Sequence, residues 1–144
     1  MNSGQLELII GPMYAGKSTE LIRKINIYEF LDKKIIVINH SINNRYGSKN
    51  LSTHNKEYYD NCLILNELKE LEKYNIFHDI EIIIIEELQF FKDSFETITR
   101  WIDENKKNVI AAGLDGDFER KPFGDVLKLI PYAEKVTKLH ALCK

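Results

Sequence analysis

Disulfide pairing, long apolar stretches and surplus charge are all missing from this sequence of 144 residues. Its two cysteines, Cys62 and Cys143, form no pairing pattern. That argues against a disulfide-built secreted domain and for a reducing compartment, the cytoplasm. A formal net charge of -2 gives no electrostatic footing for nucleic acid or a membrane surface, and neither partner is expected. The start, MNSGQLELII, lacks a basic segment and has too short an apolar core for a signal peptide. The run Ile82 to Ile85 is far too short to span a bilayer. There is no internal repeat, low-complexity segment or interdomain linker, so residues 1–144 read as one domain. A hydrophobic content of 44% is enough to build its core.

What is present is an alternation of two periods. Leu6 to Ile10, Ile35 to Ile38, Cys62 to Leu65, Ile82 to Ile85 and Val109 to Leu114 read as strands, with Val136 to Leu139 a weaker candidate. The four consecutive isoleucines suit a strand covered on both faces, as in the middle of a parallel sheet. Between the strands, Thr19 to Leu31 places Leu21, Ile25 and Tyr28 on one helical face, Glu67 to Tyr74 has helical composition, and Phe91, Phe95, Ile98 and Ile102 recur at helical spacing. The polar stretch NHSINNRYGSKNLSTHNKEYYDN is long for a loop, which marks it as functional or mobile. The pattern predicts an α/β domain with a mostly parallel sheet flanked by helices.

Between the first strand and the first helix stands Gly11-Pro12-Met13-Tyr14-Ala15-Gly16-Lys17-Ser18, which fits G-x-x-x-x-G-K-[ST]. A triphosphate needs several donors converging on a small volume. Backbone N–H groups of a tight loop supply them, and glycines let the backbone turn and approach closely. A helix beginning near Lys17 adds its positive dipole end. Lys17 then reaches the β- and γ-phosphates, and the Ser18 hydroxyl sits on Mg²⁺. The strand-before, helix-after context is what separates this match from a chance one.

Glu86 and Glu87 follow the isoleucine strand, at the sheet edge where ligands of open α/β sheets bind. One carboxylate there can hold Mg²⁺ and its neighbour can accept the proton of an attacking hydroxyl. A solvated acidic pair ending a strand is the bland alternative. The segment GLDGDFERKPFG, residues 113–124, follows another strand. It combines turn residues with the flat apolar surfaces of Phe118 and Phe123 and the cations Arg120 and Lys121, which is what a nucleoside pocket needs.

These motifs together resemble the thymidine kinases of the type found in vertebrate cytosol, many bacteria and poxviruses. GPMYAGKSTELIRKI resembles that family's phosphate loop and first helix. EELQFF resembles its DEGQFF, and LDGDFERKPFG its LDGTFQRKPFG. NNRYGS and STH resemble its DTRYSS and CTH, and AEKVTKLHALC resembles the run leading to its first zinc cysteine. The resemblance covers Leu6 to Cys143. It implies a P-loop, RecA-like domain that transfers the γ-phosphate of ATP, with Mg²⁺, to the 5′-hydroxyl of thymidine, giving dTMP in nucleotide salvage. By this resemblance Glu87 matches the catalytic base. Gly11, Pro12, Met13, Tyr14, Ala15, Gly16, Lys17, Ser18, Asn43, Asn44, Arg45, Glu86 and Gln89 match ATP-contacting positions, with Ser18 and Glu86 on Mg²⁺. Met13, Phe90, Leu114, Phe118 and Phe123 match the thymine pocket. Since the family commonly forms tetramers, a homotetramer or homodimer is the implied assembly.

Four departures qualify the match. Glu86 replaces an aspartate, which moves the carboxylate outward by one methylene. Leu88 replaces a small residue and is expected to crowd the substrate side. Asn43 removes a charge. Lys144 follows Cys143, which matches only the first of four family zinc cysteines, so neither a zinc site nor the family's zinc and lasso domain is expected in this chain. Without that lid, Mg·ATP binding with weak thymidine turnover is expected. His40, His54, His78 and His140 show no ligand spacing with Cys143 and read as ordinary polar or packing side chains. Two alternatives stand beside the kinase: a degenerate relative that binds ATP with little activity, and an unrelated P-loop switch or GTPase. The chain has no N-K-x-D guanine-reading motif, which counts against the last.

Overall fold

The structure, a computed structural model, describes residues 4–13, 15–42, 51–52, 58–59, 62–116 and 125–140. The first strand, β1 (Leu6–Ile10), runs through the glycine-rich turn into α1 (Lys17–Phe30), and β2 (Ile35–His40) follows. Two short strands, β3 (Leu51–Ser52) and β4 (Tyr58–Tyr59), precede β5 (Cys62–Leu65), and 3-10 turns at Leu68–Lys73 and Asn75–His78 lead to β6 (Ile82–Ile85). A 3-10 turn at Leu88–Phe90, α2 (Ser94–Asp103), β7 (Asn108–Gly113), a 3-10 segment Val126–Tyr132 and β8 (Lys135–Lys138) complete the order.

Six strands form one sheet in the order β5-β2-β6-β7-β1-β8, and every pairing in it is parallel. The isoleucine strand β6 is central, with Ile82–Ile85 opposite Ile35–Ile38 on one side and Asn108–Ala111 on the other. Its side chains alternate between two apolar layers. Ile82 and Ile84 join Ile9, Val37, Ile110 and the α1 residues Leu21, Ile22 and Ile25. Ile83 and Ile85 face the other layer, with Leu8, Val109, Ile98, Trp101 and the 3-10 residues Leu68 and Leu71. A strand covered on both faces carries no polar alternation, which is why it reads as four isoleucines.

Several expectations need correction. Within the long polar stretch the described residues include the antiparallel pair β3–β4. Helix α2 starts at Ser94, so Phe91 packs in the core from the preceding turn rather than from the helix. The reason is Asp93, whose carboxylate accepts from the Thr97 hydroxyl (2.9 Å) and whose carbonyl accepts from the Thr97 N–H. The segment after Glu67 is a 3-10 turn closed by a capping box between Glu67 and Glu70. Among the described residues, no helix is long and apolar enough to cross a membrane.

Candidate active site

Parallel pairing brings the carboxyl ends of β1, β6 and β7 to one edge of the sheet. The loop leaving β1 is built by its two glycines in different ways. At Gly11 a Cβ would lie 2.7 Å from the carbonyl oxygen of Leu139, just past β8, so the close approach excludes any side chain. Gly16 has open space around it but a φ of 93°, the left-handed region that glycine adopts without cost. It caps α1, whose first residue is Lys17. The N-terminal N–H groups of that helix therefore open towards the loop.

Lys17 is buried, and its ammonium donates to the Pro12 carbonyl at 2.6 Å, closing the loop on itself. Burial holds the Lys17 ammonium below its ordinary value, while Glu87, Glu86 and Asp115 oppose that shift. Ser18 donates its hydroxyl proton to Glu86 Oε2 at 2.9 Å, which joins the start of α1 to the end of β6. Glu86 is 3% exposed. Desolvation, and then the charge of Glu87, pushes its carboxyl up to about 8, against the bonds from Ser18 and the Glu87 N–H and the attraction of Lys17. Glu87 sits at φ 58°, ψ 49°, a left-handed backbone that costs a non-glycine residue about 1 kcal/mol or more. Such strain is concentrated at functional positions.

That left-handed residue redirects the chain. It starts the turn Leu88–Phe90, which sends Leu88 wholly into the core. Leu88 therefore does not crowd the substrate side, contrary to the expectation from sequence; it packs near Gly113, on the inner side of the sheet edge. Gln89 is also buried, and bonds both to Glu87 and to the backbone of Leu114. Phe90 is half-buried beside the His40 ring, 5.8 Å between centroids. His40 also stacks edge-on to Phe91 at 4.8 Å and accepts the Ile42 N–H, so it is a packing histidine as expected. Met13 is 62% exposed and Ala15 half-buried. Sequence reading passed over Asp115, which faces Lys17 and pairs with Lys138 at 3.3 Å. Its place directly after Leu114 in the quoted loop was the available signal. Tyr14, Asn43, Asn44, Arg45, Phe118, Phe123 and Cys143 lie outside the described residues.

The donor set suits a hard cation. A hydroxyl and a carboxyl in contact offer oxygen ligands, and a divalent cation would oppose the desolvation and the Glu87 charge that hold the Glu86 carboxyl in its protonated form. Two protein oxygens are too few for an all-protein cage and match Mg²⁺, which keeps water and phosphate oxygens around it.

A strand, a glycine-built phosphate loop and a helix N-terminus, with a carboxylate pair one strand away, define an α/β nucleotide-binding domain of the P-loop class. Its membership is narrower than that class. The family model for thymidine kinase matches residues 4–144. The chain is 45% identical over 143 residues to the thymidine kinases of vaccinia virus (strain Ankara) and monkeypox virus, spanning 99% of this chain and 78% of each relative. It is 43% identical over 145 residues to the thymidine kinase of Amsacta moorei entomopoxvirus, spanning 96% of this chain and 78% of that one. The chain belongs to the thymidine kinase family, a family of phosphoryl-transferring enzymes.

Proposed function

We propose that this chain catalyses transfer of the γ-phosphate of ATP to the 5′-hydroxyl of thymidine, giving dTMP and ADP. The observation that carries this reading is the convergence of Lys17, Ser18, Glu86 and Glu87 on one edge of a parallel sheet, in a chain of this family. The backbone from Gly11 to Ser18 and the α1 N-terminus bind the phosphates. Lys17 leaves the Pro12 carbonyl and offers its charge to the β- and γ-phosphates. Ser18 and Glu86 hold Mg²⁺, which neutralises charge on the transferring phosphoryl group. Glu87 accepts the proton as the 5′-oxygen bonds to the γ-phosphorus and the bond to the β-phosphate oxygen breaks. Met13, Phe90 and Leu114 line the thymine side, together with Phe118 and Phe123. Asn43, Asn44 and Arg45 complete the nucleotide contacts, and Gln89 stands beside Glu87 in the same motif. The two-cysteine sequence supports a cytoplasmic setting.

Thymidine-dependent ADP formation tests the assignment. Glu87→Gln is expected to lower turnover by about 10²–10⁴ while ATP binding by calorimetry stays at the wild-type level. Turnover by Glu87→Gln equal to wild type sinks Glu87 as the base. Thymidine-independent ADP formation at the same rate favours a phosphate-binding relative without nucleoside kinase activity.

A further inference from the structure

Gln89 is buried at the edge of the site, two residues beyond Glu87 and 25 before Leu114, and it touches both. Its amide nitrogen donates to Glu87 Oε2, and its amide oxygen accepts the Leu114 N–H at 3.0 Å. Only one orientation of the amide satisfies both partners, because a carboxylate needs a donor and an N–H needs an acceptor. A second observation concerns the room left for it. A Cβ on Gly113 would stand 3.1 Å from Gln89 Oε1 and 3.2 Å from Leu88 Cβ, so the end of β7 approaches closely enough that glycine is what accommodates the amide. Glu87 itself is set on a left-handed backbone at the start of a three-residue turn. Its carboxylate is carried on three rotatable bonds, and the described hydrogen bond that fixes it comes from Gln89.

We propose that Gln89 is a positioning residue that acts through Glu87. Its side chain fixes the carboxylate and ties it to the backbone at the end of β7, so the proton acceptor and the strand that begins the nucleoside side of the site keep one relative position. The proposal rests on the reading of Glu87 as the base. It differs from a direct contact of Gln89 with nucleotide, the role its motif suggests, because both polar ends of the side chain are already engaged by the protein.

The experiment is a double-mutant cycle read in two ways. In thymidine-dependent ADP formation, Gln89→Leu is expected to lower kcat about 10- to 100-fold, the cost of a misplaced catalytic group, with KM for thymidine and ATP within about twofold. In the Glu87→Gln background the same change is expected to cost nothing further, since a residue acting only through Glu87 has nothing left to position. Gln89→Glu keeps an acceptor for Leu114 but sets a like charge against Glu87, and is expected to lose kcat as fully as Gln89→Leu. The second reading is hydrogen exchange of the Leu114 amide, which needs no turnover. Exchange is expected to rise about tenfold in Gln89→Leu and in Glu87→Leu and to stay near wild type in Gln89→Glu. Equal fractional losses of kcat in both Glu87 backgrounds, a rise in KM without loss of kcat, or unchanged Leu114 exchange in Gln89→Leu would each overturn the proposal. If Glu87→Gln keeps wild-type turnover, the base assignment fails instead, and the exchange data alone then decide whether the tether exists.

Discussion

Among the described residues two carboxylates and three lysines are buried, and two carboxylate–lysine sets, Glu86 with Lys17 at the candidate active-site edge and Asp93 with Lys107 away from it, are completed differently. Asp93, away from the site, is 3% exposed and accepts the Leu68 N–H at 3.0 Å, the Lys69 N–H at 2.9 Å and the Thr97 hydroxyl at 2.9 Å. Glu86 is equally buried but accepts the Ser18 hydroxyl and the Glu87 N–H while facing another carboxylate. Lys107 donates to the carbonyls of Phe77 and Ile80 and lies over the Phe77 ring. Lys17 donates to Pro12, a carbonyl of its own loop. Asp93 and Lys107 use up backbone groups that the ends of 3-10 turns leave over, so their charge is absorbed by the fold. Burial pushes Glu86 and Lys17 toward their neutral forms beside the carboxylate of Glu87, and groups perturbed in this way at a sheet edge are candidates for binding a charged ligand. The same residue types are framework in one place and part of the candidate site in the other, and the difference lies in which neighbours finish them.

The comparison is broken most sharply at Asp93. Asp93→Ala orphans two N–H groups and a hydroxyl, and is expected to cost about 3 kcal/mol or more in denaturant unfolding while ATP binding by the folded protein is kept. A loss below about 1 kcal/mol would remove Asp93 from the framework class. Next comes Lys17→Met, expected to weaken ATP binding on the order of 100-fold, the scale of a lost charge-assisted contact, with thermal stability equal to or above wild type. A large loss of stability in this variant would mean that Lys17 is structural. Lys107→Met should show the reverse pattern on a smaller scale, with unfolding easier by about 1–2 kcal/mol and nucleotide affinity unmoved.

The smallest effect is in pH. Glu86 has a folded value of about 8 against an ordinary carboxylate value of 4.5. Between these the folded protein holds a proton that the unfolded chain releases, so this group's contribution to stability is complete below the lower value and is lost as pH rises through the upper one. In the absence of nucleotide and Mg²⁺, the melting temperature of wild type relative to Glu86→Gln should fall by a few degrees between about pH 7 and pH 9. Identical pH profiles for the two proteins would show that Glu86 is solvated or fully paired.

Sequence alone determined the class of fold and most of the candidate phosphate side. Strand positions, the two-face burial of Ile82–Ile85 and the G-x-x-x-x-G-K-[ST] loop are local: each follows from periodicity or from backbone geometry that particular residues allow. The Glu86–Glu87 pair was legible as a candidate site because it ends a buried strand. Tertiary structure decided the rest, since the deciding partners are far apart in the chain. Leu88 reads in the sequence as an intruder next to the base, but the left-handed turn at Glu87 places it in the core. Asp115 reads as a loop residue and becomes a neighbour of Lys17 only when β7 pairs beside β1. Gln89 reads by resemblance as an ATP-contacting position, and its tie to Leu114 exists because parallel pairing brings the ends of β6 and β7 together. Local backbone preference is written residue by residue, whereas a hydrogen bond across 25 residues and a carboxyl pushed up by burial depend on which strands the chain sets side by side.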